Sequence, residues 1–139
     1  MSLDWSRSDS LAAGISLLAA LLGVALWPQL PGEVAIHFSA SGTPDNYVPK
    51  AVGVVLLPAL MLVTQLVLKG AMAVDPPSHP QTGPVITVAT TGFLGLVHAF
   101  VLAWNAGYPV PLDGLLVVSL VFAALLVGYT VWREEFATG

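Results

Sequence analysis

The chain contains no cysteine. Disulfides, thiolate metal ligation, thiol nucleophiles and S-palmitoylation are therefore excluded from the outset. Charge is nearly as scarce: 9% of residues are Asp, Glu, Lys or Arg, against about a quarter in ordinary soluble domains. Only four residues are Lys or Arg and the net charge is −4, so no basic patch exists to neutralise nucleic acid phosphates or to hold anionic lipid. The sequence also lacks a nucleophile elbow, an H-E-x-x-H helix, a G-K-[ST] loop and a lipid-embedded pair of carboxylates. We therefore expect no enzyme, no cofactor, no metal and no nucleic acid partner.

What is present is hydrocarbon. Hydrophobic residues make up 56% of the 139 and the mean hydropathy is +0.85. Four runs, Leu11 to Leu30, Ala51 to Val74, Val85 to Asn105 and Leu112 to Trp132, each approach the roughly 20 apolar residues that cross a hydrocarbon layer about 30 Å thick. The first three lack Asp and Glu, and the only cation within any of them, Lys69, lies near a span end from which its amine can snorkel to the headgroups. A transmembrane β-barrel would need short segments alternating between apolar and polar faces, and these runs are continuously apolar. The first run exceeds a signal-peptide core and no A-x-A-like site follows it, so it reads as a retained span. The expected fold is an all-α, antiparallel four-helix membrane bundle forming one domain over residues 1–139, with the lipid bilayer as its first partner.

Orientation follows from the cations. Four spans bring Arg7, Lys69 and Arg133 to the side of both termini and leave Lys50 on the other. The positive-inside rule then places both termini in the cytoplasm and the chain in the cell membrane. The four Trp and three Tyr all fall at span ends or in loops, as aromatic belts do. Asp9 or Ser10 can cap the first helix, and Pro84 and Pro111 suit the first turns of the third and fourth. Pro58 should kink the second span, free the carbonyl of Val54 and serve as a hinge. The Asp75–Pro84 loop holds four prolines and reads as a stiff turn, with His79 a solvated loop histidine.

The remaining polar segment, residues 31–50, is long and patterned. Val34, Ile36 and Phe38 alternate with Ala35, His37 and Ser39, which predicts a short extended segment apolar on one side and carrying the histidine on the other. Ser41 to Asn46 is concentrated turn chemistry, with Gly42 free to take positive φ. The segment should reverse there and fold back over the helix ends as a lid, with Tyr47 and Lys50 at the mouth of the second span. Its polar residues admit three roles: setting the lid's own backbone and hydrogen bonds, docking a peptide or partner through His37, Phe38, Asp45 and Tyr47, or holding a metal with Glu33, His37 and Asp45.

The run L-P-x-x-V-x-I-H-F-x-x-x-G-x-P-D-x-Y-x-x-K from Leu30 to Lys50, with the L-L-P of Leu56 to Pro58, resembles the signature of the SdpI-like membrane domain. The resemblance covers about a fifth of the chain. It implies a multi-pass membrane protein related to one that protects a bacterium from a secreted peptide toxin and helps sequester a transcriptional repressor at the membrane. Pro31, His37, Gly42, Pro44, Asp45, Tyr47 and Lys50 are the positions that match, and some relatives carry two further spans that this chain lacks.

Within the membrane, Thr91, His98 and Asn105 recur every seven residues on the third span, with Thr87 one turn earlier. That stripe should face the bundle, and the ring of His98 needs partners that lipid cannot supply, for which Thr64 and Gln65 of the second span are candidates. Three functions result: immunity or sensing through the 31–50 loop toward a secreted peptide, an accessory subunit docking another membrane protein, and a small transporter or proton pathway through His98.

Overall fold

A computed structural model describes residues 3–137. Helix α1 spans Arg7–Leu26 and ends in a single 3-10 turn, Trp27–Gln29. Strands β1 (Glu33–Phe38) and β2 (Pro44–Pro49) form an antiparallel hairpin, and α2 (Lys50–Val74), α3 (Thr82–Asn105) and α4 (Leu115–Val131) follow, the last closing in a π-helical turn at Trp132–Phe136. The four helices are each long and apolar enough to cross a membrane.

The helix starts differ from the sequence expectation in two places. The N-cap of α1 is Ser6 rather than Asp9 or Ser10; its hydroxyl accepts from the Asp9 amide while the Asp9 carboxylate accepts from the Ser6 amide. This reciprocal pair satisfies two orphan N–H groups, where a single cap satisfies one. Ser10 instead accepts the indole N–H of Trp5. Helix α4 begins at Leu115, so Pro111 lies in the preceding linker and opens no helix. That linker is shaped by the hairpin tip, beneath which Leu112 is buried, and a Cβ on Gly42 would press on the Asp113 backbone.

Helices α1, α2 and α3 pack on one another, whereas α4 packs against α3, buries none of its own residues and is joined by a parallel stack of Phe93 on Phe122 with ring centres 4.2 Å apart. The buried stripes of the three central helices are unlike a soluble core. They comprise Asp9, Ala12, Ser16, Ala19 and Gly23 on α1, Gly53, Val54, Pro58, Met61 and Gln65 on α2, and Thr82, Thr87, Thr91, His98 and Leu102 on α3. Apart from Val54 and Leu102, the leucines and valines of these helices lie outside the buried stripes, and many of them are exposed. Lipid tails solvate leucine as well as another leucine does, so helix contact is won by small residues and by hydrogen bonds instead.

At one end of this seam the Asp9 carboxylate meets the Lys69 amine at 2.7 Å, and Gln65 donates to the Asp9 carbonyl at 2.7 Å. Lys69 also donates to the Asp4 carbonyl, so its amine is held at the helix ends instead of reaching out alone. At the other end a small apolar core of Leu30, Val34, Val54 and Leu102 seats the hairpin on the helices.

Gly53 lets the hairpin sit this low, because a Cβ there would collide with the Cγ2 of Val34. Alanine is the better helix former by about 1 kcal/mol, yet Gly53→Ala should lower stability by about 1–3 kcal/mol through overpacking. Adding Val34→Ala should recover part of the loss. Thermal unfolding in detergent micelles decides the sign: a Gly53→Ala variant more stable than the parent would remove the close approach from the account.

Candidate functional site

The hairpin is built from its edges inward. Ala35 pairs with Tyr47 across the ladder, but its own N–H and C=O turn away from β2. Both meet the side-chain amide of Asn105, which accepts from the Ala35 amide at 2.8 Å and donates to the Ala35 carbonyl at 2.9 Å. A primary amide thus stands where a third strand would. Antiparallel ladders alternate inward and outward pairs, so the backbone groups of Tyr47 face outward as well. Pro49, two residues on, has no N–H to expose on that outer edge.

Lys50 locks the base of the hairpin. Its amine donates to the carbonyls of Trp27 and Leu30 at 3.0 and 3.2 Å and lies 4.5 Å from the centre of the Trp27 ring. A cation at the carboxyl end of α1 is also where the helix dipole favours one. One side chain therefore joins the end of α1 to the start of α2. Phe38 packs edge-to-face on Trp104 at 5.2 Å, and the tip turns at Gly42, φ +81°, closed by bonds between Ser39 and Thr43.

The residues that remain on display are different ones. His37 Nδ1 and the Asp45 carboxylate lie 2.6 Å apart across the strands, with their side chains 69% and 48% exposed, and Tyr47 is exposed beside them. Next to this pair a groove of about 200 Å³ runs between β1, α3 and α4, lined by Ile36, Phe38, Val101, Leu112, Leu115 and Leu116 among others. A carboxylate is an acceptor only, so the His37 Nδ1 carries the hydrogen of this contact. The face thus offers a carboxylate and an imidazole beside an apolar slot.

Several expectations drawn from the sequence change in this geometry. The extended segment, the reversal at Gly42 and the return over the helix ends are all present, but Ala35 is fully buried rather than outward, because Asn105 claims its edge. Asn105 ends the stripe as the last residue of α3 and holds the hairpin. Thr91 and His98 are buried in the seam, yet the partner of His98 is neither Thr64 nor Gln65. Its Nε2 lies 3.2 Å from the Ala19 carbonyl of α1. Pro58 sits inside α2 on its buried stripe. Pro31 is exposed in the turn before β1, and Pro44 opens β2 opposite Phe38.

Glu33 and His37 occupy opposite ends of β1, and among the described residues no group of three His, Cys, Asp or Glu side chains is placed to hold a metal. One contact lay beyond sequence reasoning altogether. Glu134, after α4, accepts from the Ser78 amide and the Thr82 hydroxyl and so ties the end of α4 to the start of α3. His79 lies against the same carboxylate, its Nδ1 3.8 Å away and only partly solvated.

The fold and its apolar helices define a multi-pass membrane protein. Residues 14–62 match a family described as a domain of unknown function, DUF1648. The chain is 38% identical over 50 residues to the uncharacterized membrane protein YbgB of Bacillus subtilis (strain 168), an alignment covering 36% of this chain and 55% of that protein. The chain thus spans about half the length of the curated relative it matches. No solved structure matches.

Replacing Asn105 with Leu should free the hairpin edge. Both polar groups of Ala35 would lose their partner, and an unsatisfied buried group costs about 1–3 kcal/mol. Hydrogen exchange of the Ala35 amide should quicken at least tenfold in Asn105→Leu while the mid-helix amides of α3 stay protected. Unchanged exchange at Ala35 would show that the side-chain amide does not hold the strand.

Proposed function

We propose that the hairpin is an extracytoplasmic docking platform for a secreted, cationic, amphipathic peptide, and that the protein serves immunity or sensing toward it. The observation that carries this reading is a division of labour. Asn105, Lys50, Val34 and Phe38 fasten the hairpin, while His37, Asp45 and Tyr47 are presented outward and fasten none of it to the helices. A platform rigid before binding spends little entropy on ordering itself.

The chemistry of the occupant follows from charge. Glu33, Asp45 and Asp113 are exposed around the hairpin, and the one nearby cation, Lys50, is engaged by carbonyls and the Trp27 ring. The face is acidic, with an apolar slot beside it. Acidic rims speed capture of cationic partners and make it sensitive to salt. The resemblance of Leu30 to Pro58 to SdpI-like domains supports the same class of role, and the role is one of binding without catalysis.

Expression in a peptide-sensitive host tests it. His37→Ala and Asp45→Asn should each weaken protection against a cationic membrane-active peptide by about tenfold, the loss of one charge-assisted contact, with thermal stability of the purified protein unchanged. Binding in nanodiscs should fall as salt rises. Full protection by both variants would refute docking at this face.

A second reading, an accessory subunit of a membrane complex, is favoured by α4, which buries none of its residues. It requires a stoichiometric partner on gentle detergent purification, and indifference to the hairpin substitutions.

A further inference from the structure

A second cavity of about 220 Å³ lies between α2 and α3, below the hairpin, on the other side of Ile36, Val97 and Val101 from the groove beside His37. Leu56, Leu57, Leu60, Val97 and Val101 wall it, and Ile36 of β1 roofs it. Leu56 and Leu60 are exposed on the lateral surface of α2, so the mouth opens sideways, toward lipid. The single polar side chain in the lining is His98, which is 2% exposed.

The hydrogen bond of His98 states what that histidine can offer. A carbonyl oxygen only accepts, so the Nε2 atom 3.2 Å from Ala19 carries the hydrogen. In an uncharged ring the remaining nitrogen, Nδ1, is then an acceptor. The Ala19 bond turns the Nε2 edge toward α1, and the same ring lines the α2–α3 cavity. An acceptor in an apolar cavity calls for a donor. Water serves badly there, since it needs two to four polar partners and the rest of the lining is aliphatic. An anion finds no cation, and a charged amine would have to shed its hydration among leucines.

We propose that this cavity binds a neutral membrane-borne amphiphile, an aliphatic or isoprenoid chain bearing one hydroxyl, whose O–H donates to His98 Nδ1. His98 lies seven residues before Asn105, about 10 Å along the helix, within reach of a molecule resident in the hairpin-side leaflet. The chain lies along Leu56, Leu60 and Val97, and the hydroxyl ends beneath Ile36. The site shares Ile36, Val97 and Val101 with the groove beside His37, but its polar group is His98, so it stands without the peptide reading.

A photoreactive pair of probes tests this on the full chain in nanodiscs: a long-chain alcohol carrying a diazirine on its tail, and the methyl ether of the same alcohol. The ether keeps the shape and loses the donor. The alcohol should label peptides covering residues 56–60 and 97–101 about fivefold more than the ether, the weight of one buried hydrogen bond. His98→Phe should abolish that preference while leaving labelling by the ether. Leu60→Trp, which fills the cavity without touching the Ala19 contact, should suppress both labels and serves where His98→Phe fails to fold. Equal labelling of the parent by alcohol and ether would overturn the proposal and leave ordinary filling by acyl chains. Labelling confined to other helices would overturn it as well.

Discussion

A peptide group in hydrocarbon has no water to bond, so every N–H and C=O must find its partner within the protein. The helices meet that demand from their own backbone. The hairpin does not, since two strands always leave two open edges. Here one edge is closed by the amide of Asn105 on Ala35, and the other, where the backbone groups of Tyr47 face outward, loses one donor at Pro49. The position of the hairpin, and of whatever it displays, depends on that closure.

The seam below obeys the same rule with the usual polarity of a core reversed. Ser16 donates to the Ala12 carbonyl at 3.1 Å, Gln65 to that of Asp9, and His98 to that of Ala19. Each is a polar side chain serving a backbone acceptor of α1. The two bonds between helices also set the register: Ala19 level with His98 and Asp9 level with Gln65, with Gly23 against Val54 between them and the hairpin. Apolar side chains could not do this, because lipid would accept them equally well on the outside.

The four spans were legible because their signal is collective, and no single substitution could hide twenty apolar residues. The reversal at Gly42 was legible because a φ of +81° is costly for other residues, so turn chemistry concentrates there. What stayed hidden involved backbone acceptors and distant pairs. The partner of His98 is a carbonyl of Ala19, and a carbonyl has no letter in a sequence. Asn105 fits the seven-residue stripe of Thr91 and His98, but the stripe runs past the end of the seam, where the same face meets a strand instead of a helix. The Ser6–Asp9 capping box escaped because Asp9 itself is a good cap, and the choice between the two is made by Lys69, sixty residues on and 2.7 Å away.

The matched family segment, residues 14–62, takes in most of α1, the hairpin and the first half of α2. Lys50 and Val34 lie within it, and so do His37, Asp45 and Tyr47. Asn105, Trp104 and Leu102 lie outside it, on α3. The displayed face and half of its fastenings therefore travel together in sequence, while the amide that closes the inner edge comes from a helix beyond the match. Ala35 still needs a donor and an acceptor wherever this hairpin sits on a membrane, because the cost of leaving both unpaired does not depend on which helix supplies them. A chain that keeps the segment without an asparagine at this place must close the edge with another side-chain amide, a third strand or a partner protein, and each of those would change how high the His37–Asp45 pair stands above the bilayer.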